Sequence, residues 1–192
     1  GIRILDIGAG HGCMGMAAAR ALGPILKEYV AVEPDEHMAG RLKMLWPRYG
    51  NGALLSVVST LQETSGTFDL IVLSHVIEHL HHPDSLIANT RPKLKTSGKI
   101  FIEVPNMDYR FKTDVHGHVL FFGTTQMEKF LASQGLRKID VSSFGKNPRQ
   151  TPMNPANHSF SRRLEYALNR VKRFIPYRLF SAYLTNSYGI NQ

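Results

Sequence analysis

Two stretches of this 192-residue chain hold the side chains best suited to chemistry. The first is Asp6-Ile7-Gly8-Ala9-Gly10-His11-Gly12, where a short apolar run gives way to glycines. Glycines at such a point let the chain turn tightly and let a ligand press against bare main chain. A helix starting there offers free N–H groups and a partial positive charge, suited to a carboxylate or a phosphate. The second is Ser74-His75-Val76-Ile77-Glu78-His79-Leu80-His81-His82, which with His116-Gly117-His118 holds six of the nine histidines. Imidazoles move protons or bind metals near neutral pH, so three readings are open here. In one, His79 or His118 takes the proton of an attacking hydroxyl as general base. In another, His75, Glu78, His79 and His116 or His118 ligate a divalent ion such as Mg2+ that lowers the hydroxyl's pKa. In the third, Glu78 and His79 cap and brace the loop.

The glycine stretch alone is ambiguous. Gly10-His11-Gly12-Cys13-Met14-Gly15 matches the dinucleotide fingerprint GxGxxG in form. Two features argue against a nicotinamide cofactor. The apolar run ends at Ile7, so the first turn glycine is Gly8 and the spacing from there is GxGxG. Asp6 would repel a pyrophosphate, yet it can accept hydrogen bonds from an ammonium group. A ligand with an ammonium and no phosphate fits better, and S-adenosylmethionine is one. Glu33 closes the next apolar run and can take both ribose hydroxyls of an adenosine. It marks a nucleoside site without choosing between the two cofactors.

Elements that would position these residues follow from the pattern of apolar runs and breakers. Ile2–Ile7, Tyr29–Glu33, Leu54–Ser59, Phe68–Ser74, Lys99–Val104 and Arg137–Ser143 read as strands, several of them continuous apolar runs of the buried parallel kind. Gly12–Leu22 reads as a helix stopped at Gly23-Pro24. Asp35 offers an N-cap for a helix through about Trp46, and Ser85–Leu94 reads as a helix weakened at Pro92. Thr125 and Glu128 form a capping box for a helix that ends at Gly135. This alternation predicts an α/β fold with a doubly wound, mostly parallel sheet and helices on both faces, in one domain. Ligands bind such sheets at the carboxyl ends of the strands, which is where both reactive stretches lie. Residues 1–144 are expected to form the core and 145–158, with its prolines, a loop or lid. Residues 159–192 are expected to form a basic amphipathic helix and tail, in which Phe160, Leu164, Leu168, Val171 and Ile175 recur at helical spacing.

Charge is unevenly placed. Residues 1–136 hold 13 Lys/Arg and 13 Asp/Glu, so the net +8 falls on residues 137–192, with 10 basic residues and 2 acids. That excess can meet an anionic partner or an anionic membrane surface. No RNA-binding module accompanies it and aromatic residues are not interleaved with the basic ones, which argues against nucleic acid. The single cysteine, Cys13, excludes a disulfide framework, points to a cytoplasmic setting and reads as packed in the first helix. No apolar run approaches the roughly 18 residues that span a bilayer, and no signal peptide precedes the first strand. The chain opens inside a strand, so a further N-terminal segment is expected.

Taken together, the motifs resemble those of the class I S-adenosylmethionine-dependent methyltransferases. ILDIGAGHG is similar to their first motif and AVEP to the acidic end of strand two. FDLIVLSHVIEHLHHP is similar to strand four with its following loop, and LKTSGKIFIEVPN to the passage into strand five. The likeness runs from Ile2 to about Ser143. Its nearest branch includes ubiquinone-biosynthesis O-methyltransferases and small bacterial enzymes of glycan and natural-product pathways. The resemblance implies that Asp6, Gly8 and Gly10 surround the methionine part, with Ala9 and Gly12 completing the loop. It places Glu33 on the ribose, followed by Pro34, and Thr60 with Leu61 where the family often has an aspartate on the adenine amine. Ser74 and His75 then close the floor beneath the sulfonium. The histidine layout resembles metal-binding small-RNA 3′-end methyltransferases and some ubiquinone-pathway enzymes, with His75 in place of their first glutamate. The implied function is methyl transfer from S-adenosylmethionine to an oxygen of a small or lipid-linked acceptor. A lipid-linked acceptor would allow peripheral contact with the inner membrane face through the basic helix. The rivals are a nicotinamide-dependent oxidoreductase and a module that binds the cofactor without turnover.

Overall fold

The computed structural model describes residues 1–105 and 117–140. Strand β1 (Ile2–Ile7) occupies the middle of a five-stranded parallel sheet, with β2 (Leu26–Val32) and β3 (Leu54–Val58) to one side. Strands β4 (Phe68–Ser74) and β5 (Leu94–Glu103) lie to the other, giving the order β3-β2-β1-β4-β5. The chain winds outward from β1 to β3, then returns across the sheet to start β4 beside β1. That reversal is the topological switch point, and a crevice opens there at the carboxyl ends of the strands.

Alternate residues of the strands feed two cores. Leu5, Ile7, Val30, Val32, Ile71 and Leu73 face helices α3 (Pro83–Thr90) and α4 (Thr124–Ser133). Ile4, Tyr29, Ala31 and Val72 face helices α1 (Cys13–Leu22) and α2 (Glu36–Tyr49). The second core is organised around Tyr29, which is fully buried. Its ring stacks on Trp46 at 4.9 Å and 12°, and α1 crosses its other side at Gly15.

β1 and β4 match the expected bounds, and Asp35 caps α2 by accepting from the Met38 N–H at 2.9 Å. Elsewhere the boundaries move. α3 starts at Pro83, whose fixed φ suits the first helical position, and stops before Pro92, so the expected Ser85–Leu94 helix is shifted toward the N-terminus. β5 consequently begins at Leu94 rather than Lys99. The expected capping box at Thr125 is replaced by Gly123 at the N-cap with no side-chain hydrogen bond, and Glu128 pairs with Lys138 at 2.5 Å instead. Residues 137–140 form no strand, and the rest of the expected sixth strand, the 145–158 loop and the basic helix lie outside the described residues. Cys13 is exposed at the start of α1 rather than packed. Among the described residues no helix is long and apolar enough to cross a membrane.

Two sites in the Tyr29 core have measurable consequences. A Cβ on Gly15 would lie 2.3 Å from the Tyr29 ring, which Trp46 backs from behind. Gly15→Ala should therefore cost about 1–3 kcal/mol in urea unfolding by overpacking. Beneath the glycine loop, the Tyr29 hydroxyl donates to Asp6 Oδ2 at 2.5 Å, and Asp6 is 1% exposed. Burial pushes the Asp6 carboxyl up to about 7; the Tyr29 hydrogen bond opposes the shift and the charge of Glu33 adds to it. The folded chain thus holds a proton that the unfolded chain releases near pH 4, so stability from this group is full below that pH and is lost as pH rises to about 7. Urea titrations should show wild type losing on the order of 2–4 kcal/mol relative to Asp6→Asn across that window, and a pH-independent difference would refute the assignment.

Candidate active site

Register brings the reactive stretches to one edge. Ile7 lies opposite Val32 on one side and Leu73 on the other, Val32 opposite Val58, and Ser74 opposite Glu103. Residues following these positions share the carboxyl end of the sheet. The Val32 carbonyl accepts from Gly8 N at 2.9 Å and Ala9 N at 3.3 Å, which ties the glycine loop to the end of β2. Glu33 continues that link, with Oε2 accepting from Gly10 N at 2.6 Å and Oε1 from Asp35 N at 2.9 Å. Although Glu33 is 8% exposed, a carboxylate offers about four lone-pair sites, so each oxygen retains capacity for a ligand hydroxyl.

The three loop glycines do different work. All have positive φ, but a Cβ at Gly8 would strike Val76 at 2.7 Å and one at Gly12 would strike Leu42 at 2.3 Å. At Gly10 there is nothing within 4 Å. Gly8 and Gly12 are closed by their own protein, whereas Gly10 faces open space that a ligand can enter. That opening, beside a fixed carboxylate, fits the methionine and ribose of S-adenosylmethionine. Pro34 is exposed next to Glu33. Beyond β3, Thr60 is exposed and Leu61 buried; the Thr60 N–H and hydroxyl both donate to Glu63 Oε1, at 2.9 and 2.6 Å. An acid therefore stands close to the place where the resemblance implies an aspartate, three positions later than expected.

Past the switch point, the Ser74 hydroxyl donates to Glu103 Oε2 at 2.7 Å and His75 N donates to the Glu103 carbonyl at 2.9 Å. His75 adopts φ +56, a left-handed conformation uncommon among residues other than glycine. Its Nδ1 sits 3.1 Å from Oε1 of Glu78, which is 1% exposed. Glu78 Oε2 is buried with no hydrogen-bond partner among the described residues. The Glu78 carbonyl accepts from Val119 N and Leu120 N, at 2.8 and 3.0 Å, which draws the 117–120 segment against the loop after β4. His79 Nδ1 lies 3.3 Å from the Gly117 carbonyl, and the His79 and His118 rings meet edge-on at 4.7 Å.

Of the expected catalytic or metal-binding residues, then, Glu78, His79 and His118 are brought together, with ligand atoms within 4.8 Å of one another. His75 turns to Glu78 but stands outside that group, and His116 lies outside the described residues. The donor set is one carboxylate and two imidazoles. Mg2+ demands oxygen ligands, so these residues do not fit it. Sequence reasoning passed over Tyr29, Glu63 and Glu103. Each makes its decisive contact across strands or within a turn, and only Glu103, an acid ending an apolar run beside the site, carried a signal.

A family model described as "Methyltransferase domain" matches residues 1–141. Among curated relatives, a ubiquinone biosynthesis O-methyltransferase of Vibrio campbellii is 24% identical over 167 residues, covering 77% of this chain and 69% of the relative. The mitochondrial ubiquinone biosynthesis O-methyltransferase of Rattus norvegicus is 26% identical over 155 residues, covering 72% and 43%. Two solved structures share the fold at 18% identity. The [4+2]-cyclase SpnF has a TM-score of 0.54 over 70% of this chain and 51% of its own. The YcgJ protein of Bacillus subtilis has 0.51 over 69% and 61%. The chain spans only part of each of these proteins, about half of SpnF. Since one neighbour is named for a cyclisation, fold likeness alone carries the architecture and not the reaction. The family model, which covers most of the chain, does more: this protein belongs to the methyltransferase-domain family, the class I methyltransferases that use S-adenosylmethionine.

Proposed function

We propose that the chain transfers the methyl group of S-adenosylmethionine to a hydroxyl oxygen of a small or lipid-linked acceptor. The observation that carries the cofactor half is the Glu33 carboxylate, fixed by Gly10 and Asp35 beside the open side of Gly10. Oxygen as the acceptor atom is supported by the curated relatives, which are named O-methyltransferases.

Bound in this cradle, S-adenosylmethionine supplies a methyl group already activated by its sulfonium. The chain's own residues hold and orient. The bare main chain at Gly10 and the loop of Gly8, Ala9 and Gly12 receive the methionine part, below which Asp6 and Tyr29 anchor β1 to β2. Glu33 accepts from the ribose hydroxyls, Pro34 flanks it, and Thr60 and Leu61 border the adenine, where Glu63 adds an acceptor. Ser74 and His75 form the floor. On the acceptor side, the Gly117 carbonyl accepts from His79 Nδ1, which leaves Nε2 as the nitrogen to take the hydroxyl proton. His118 packs against that ring, and Glu78 braces the segment. Positioning carries the larger share, because oriented reactants gain effective molarities of ~10⁵–10⁸ M, whereas a general base adds about 10²–10⁴-fold.

The decisive measurement is calorimetric titration with S-adenosylhomocysteine, with NADH in parallel. Binding of the thioether and not of NADH supports the reading, and the reverse result returns the glycine loop to the dinucleotide class. Glu33→Ala should weaken S-adenosylhomocysteine binding by at least ~1.5 kcal/mol with the fold intact by circular dichroism. With an acceptor in hand, His79→Asn should lower kcat by about 10²–10⁴-fold while leaving that affinity unchanged. A kcat within twofold of wild type would remove the base from the mechanism.

A further inference from the structure

We propose that Glu103 selects the acceptor, and that it selects a neutral or cationic hydrogen-bond donor, an alcohol, phenol or amine, over an anion. The inference rests on the methyltransferase reading above and concerns the acceptor half of the same edge.

Glu103 is the last residue of β5, in register with Ser74 at the end of β4. Ser74 holds Oε2 at 2.7 Å, and the Glu103 backbone carbonyl holds the N–H of the strained His75. The side chain is half-buried, and Oε1 accepts no hydrogen bond from the described residues. A carboxylate pinned by one oxygen at the carboxyl end of a strand has the other left for whatever lies over β4 and β5. Carboxylate oxygens only accept, so the group that satisfies Oε1 must be a donor. Glu78 adds to the same demand. It is 1% exposed, close to His79 and His118, and its Oε2 has no partner among the described residues.

The distribution of charge over the described part of this edge argues against the opposite choice. Among the described residues, the segments 8–12, 33–35, 59–63, 74–82, 103–105 and 117–123 follow strand ends or enter α4 at this edge. They hold Glu33, Asp35, Glu63, Glu78 and Glu103 and not one Lys or Arg. The cations near the strands sit at their amino ends, where Arg3 pairs with Glu28 and Lys95 with Asp69. Within those segments a carboxylate or phosphate on the acceptor would meet like charge with no Lys or Arg to compensate it, and such juxtaposition is how a site rejects wrong partners. A hydroxyl or ammonium meets an acceptor already oriented by Ser74.

The test uses panels of phenols, catechols and primary amines, each with an uncharged, an ammonium-bearing and a carboxylated member. Release of S-adenosylhomocysteine from S-adenosylmethionine is measured with wild type and Glu103→Gln. Uncharged or ammonium members should be turned over by wild type, with carboxylated members at least about tenfold lower in kcat/KM. Glu103→Gln should narrow that gap, mainly through KM, with S-adenosylhomocysteine affinity within twofold of wild type. A preference for carboxylated members, a gap unchanged in Glu103→Gln, or no turnover of any member by a protein that still binds S-adenosylhomocysteine would each overturn the proposal. Failure to bind S-adenosylhomocysteine at all would instead strike the underlying methyltransferase reading.

Discussion

The ligand edge depends on how β2 ends. Val32 gives its carbonyl to the N–H groups of Gly8 and Ala9, and Glu33, one residue on, gives its two carboxylate oxygens to Gly10 and Asp35. Two consecutive residues thereby fix the glycine loop, the exit of β2 and the cap of α2 in one frame. Hydrogen bonds to an ionised acceptor are stronger than neutral ones, and here both donors are main-chain N–H groups that move only if the elements move. The cradle is thus built before any ligand arrives, and a ligand binding there has little loop ordering left to do.

A second frame stands across the switch point and is made differently. Its anchor is Glu103, whose carbonyl and carboxylate hold His75 and Ser74, so the last residue of β5 dictates how β4 ends. His75 is kept in a backbone conformation that costs of order 1–3 kcal/mol, and the contacts that sustain it are the Glu103 carbonyl and the Glu78 carboxylate. From Glu78 the chain of contacts runs to Val119 and Leu120, and from His79 to Gly117. Both frames combine main-chain bonds with a carboxylate, Glu33 in the first and Glu103 in the second.

Much of the fold was legible because buried parallel strands are continuous apolar runs bounded by glycine and polar residues. β1 and β4 were read to the residue for that reason, as was Asp35 as a cap. β5 starts earlier than the composition of Leu94-Lys95-Thr96-Ser97-Gly98 suggests because Leu94 already pairs with Phe68, after which the register shifts to put Lys99 opposite Leu70. Thr125 and Glu128 satisfied the capping pattern, yet Gly123 takes the N-cap and sets the helix start two residues earlier. In the site, Glu33, the loop glycines and the Glu78–His79–His118 group could be placed from order and spacing. The grip of Tyr29 on Asp6 and of Ser74 on Glu103 could not. Those are contacts between neighbouring strands, and register is a tertiary property that no local window contains.

The return of the chain across the sheet also sets an order of assembly. β1 pairs with β2 through a short helical crossover, and β2 with β3, so the hydrogen bonds that tie the glycine loop to Val32 and Glu33 lie within the first βαβαβ unit, while Val76, beyond β4, closes over Gly8. The acceptor half needs β4 to find the far side of β1, a pairing across more than sixty residues, and then needs β5 to close on β4. Loop-closure entropy makes such long-range pairings the slow ones. A chain emerging from the ribosome would thus bond its glycine loop to the end of β2 before Val76 and the β4–β5 edge can close against it. The Ser74–Glu103 contact would form last, when β5 docks on β4.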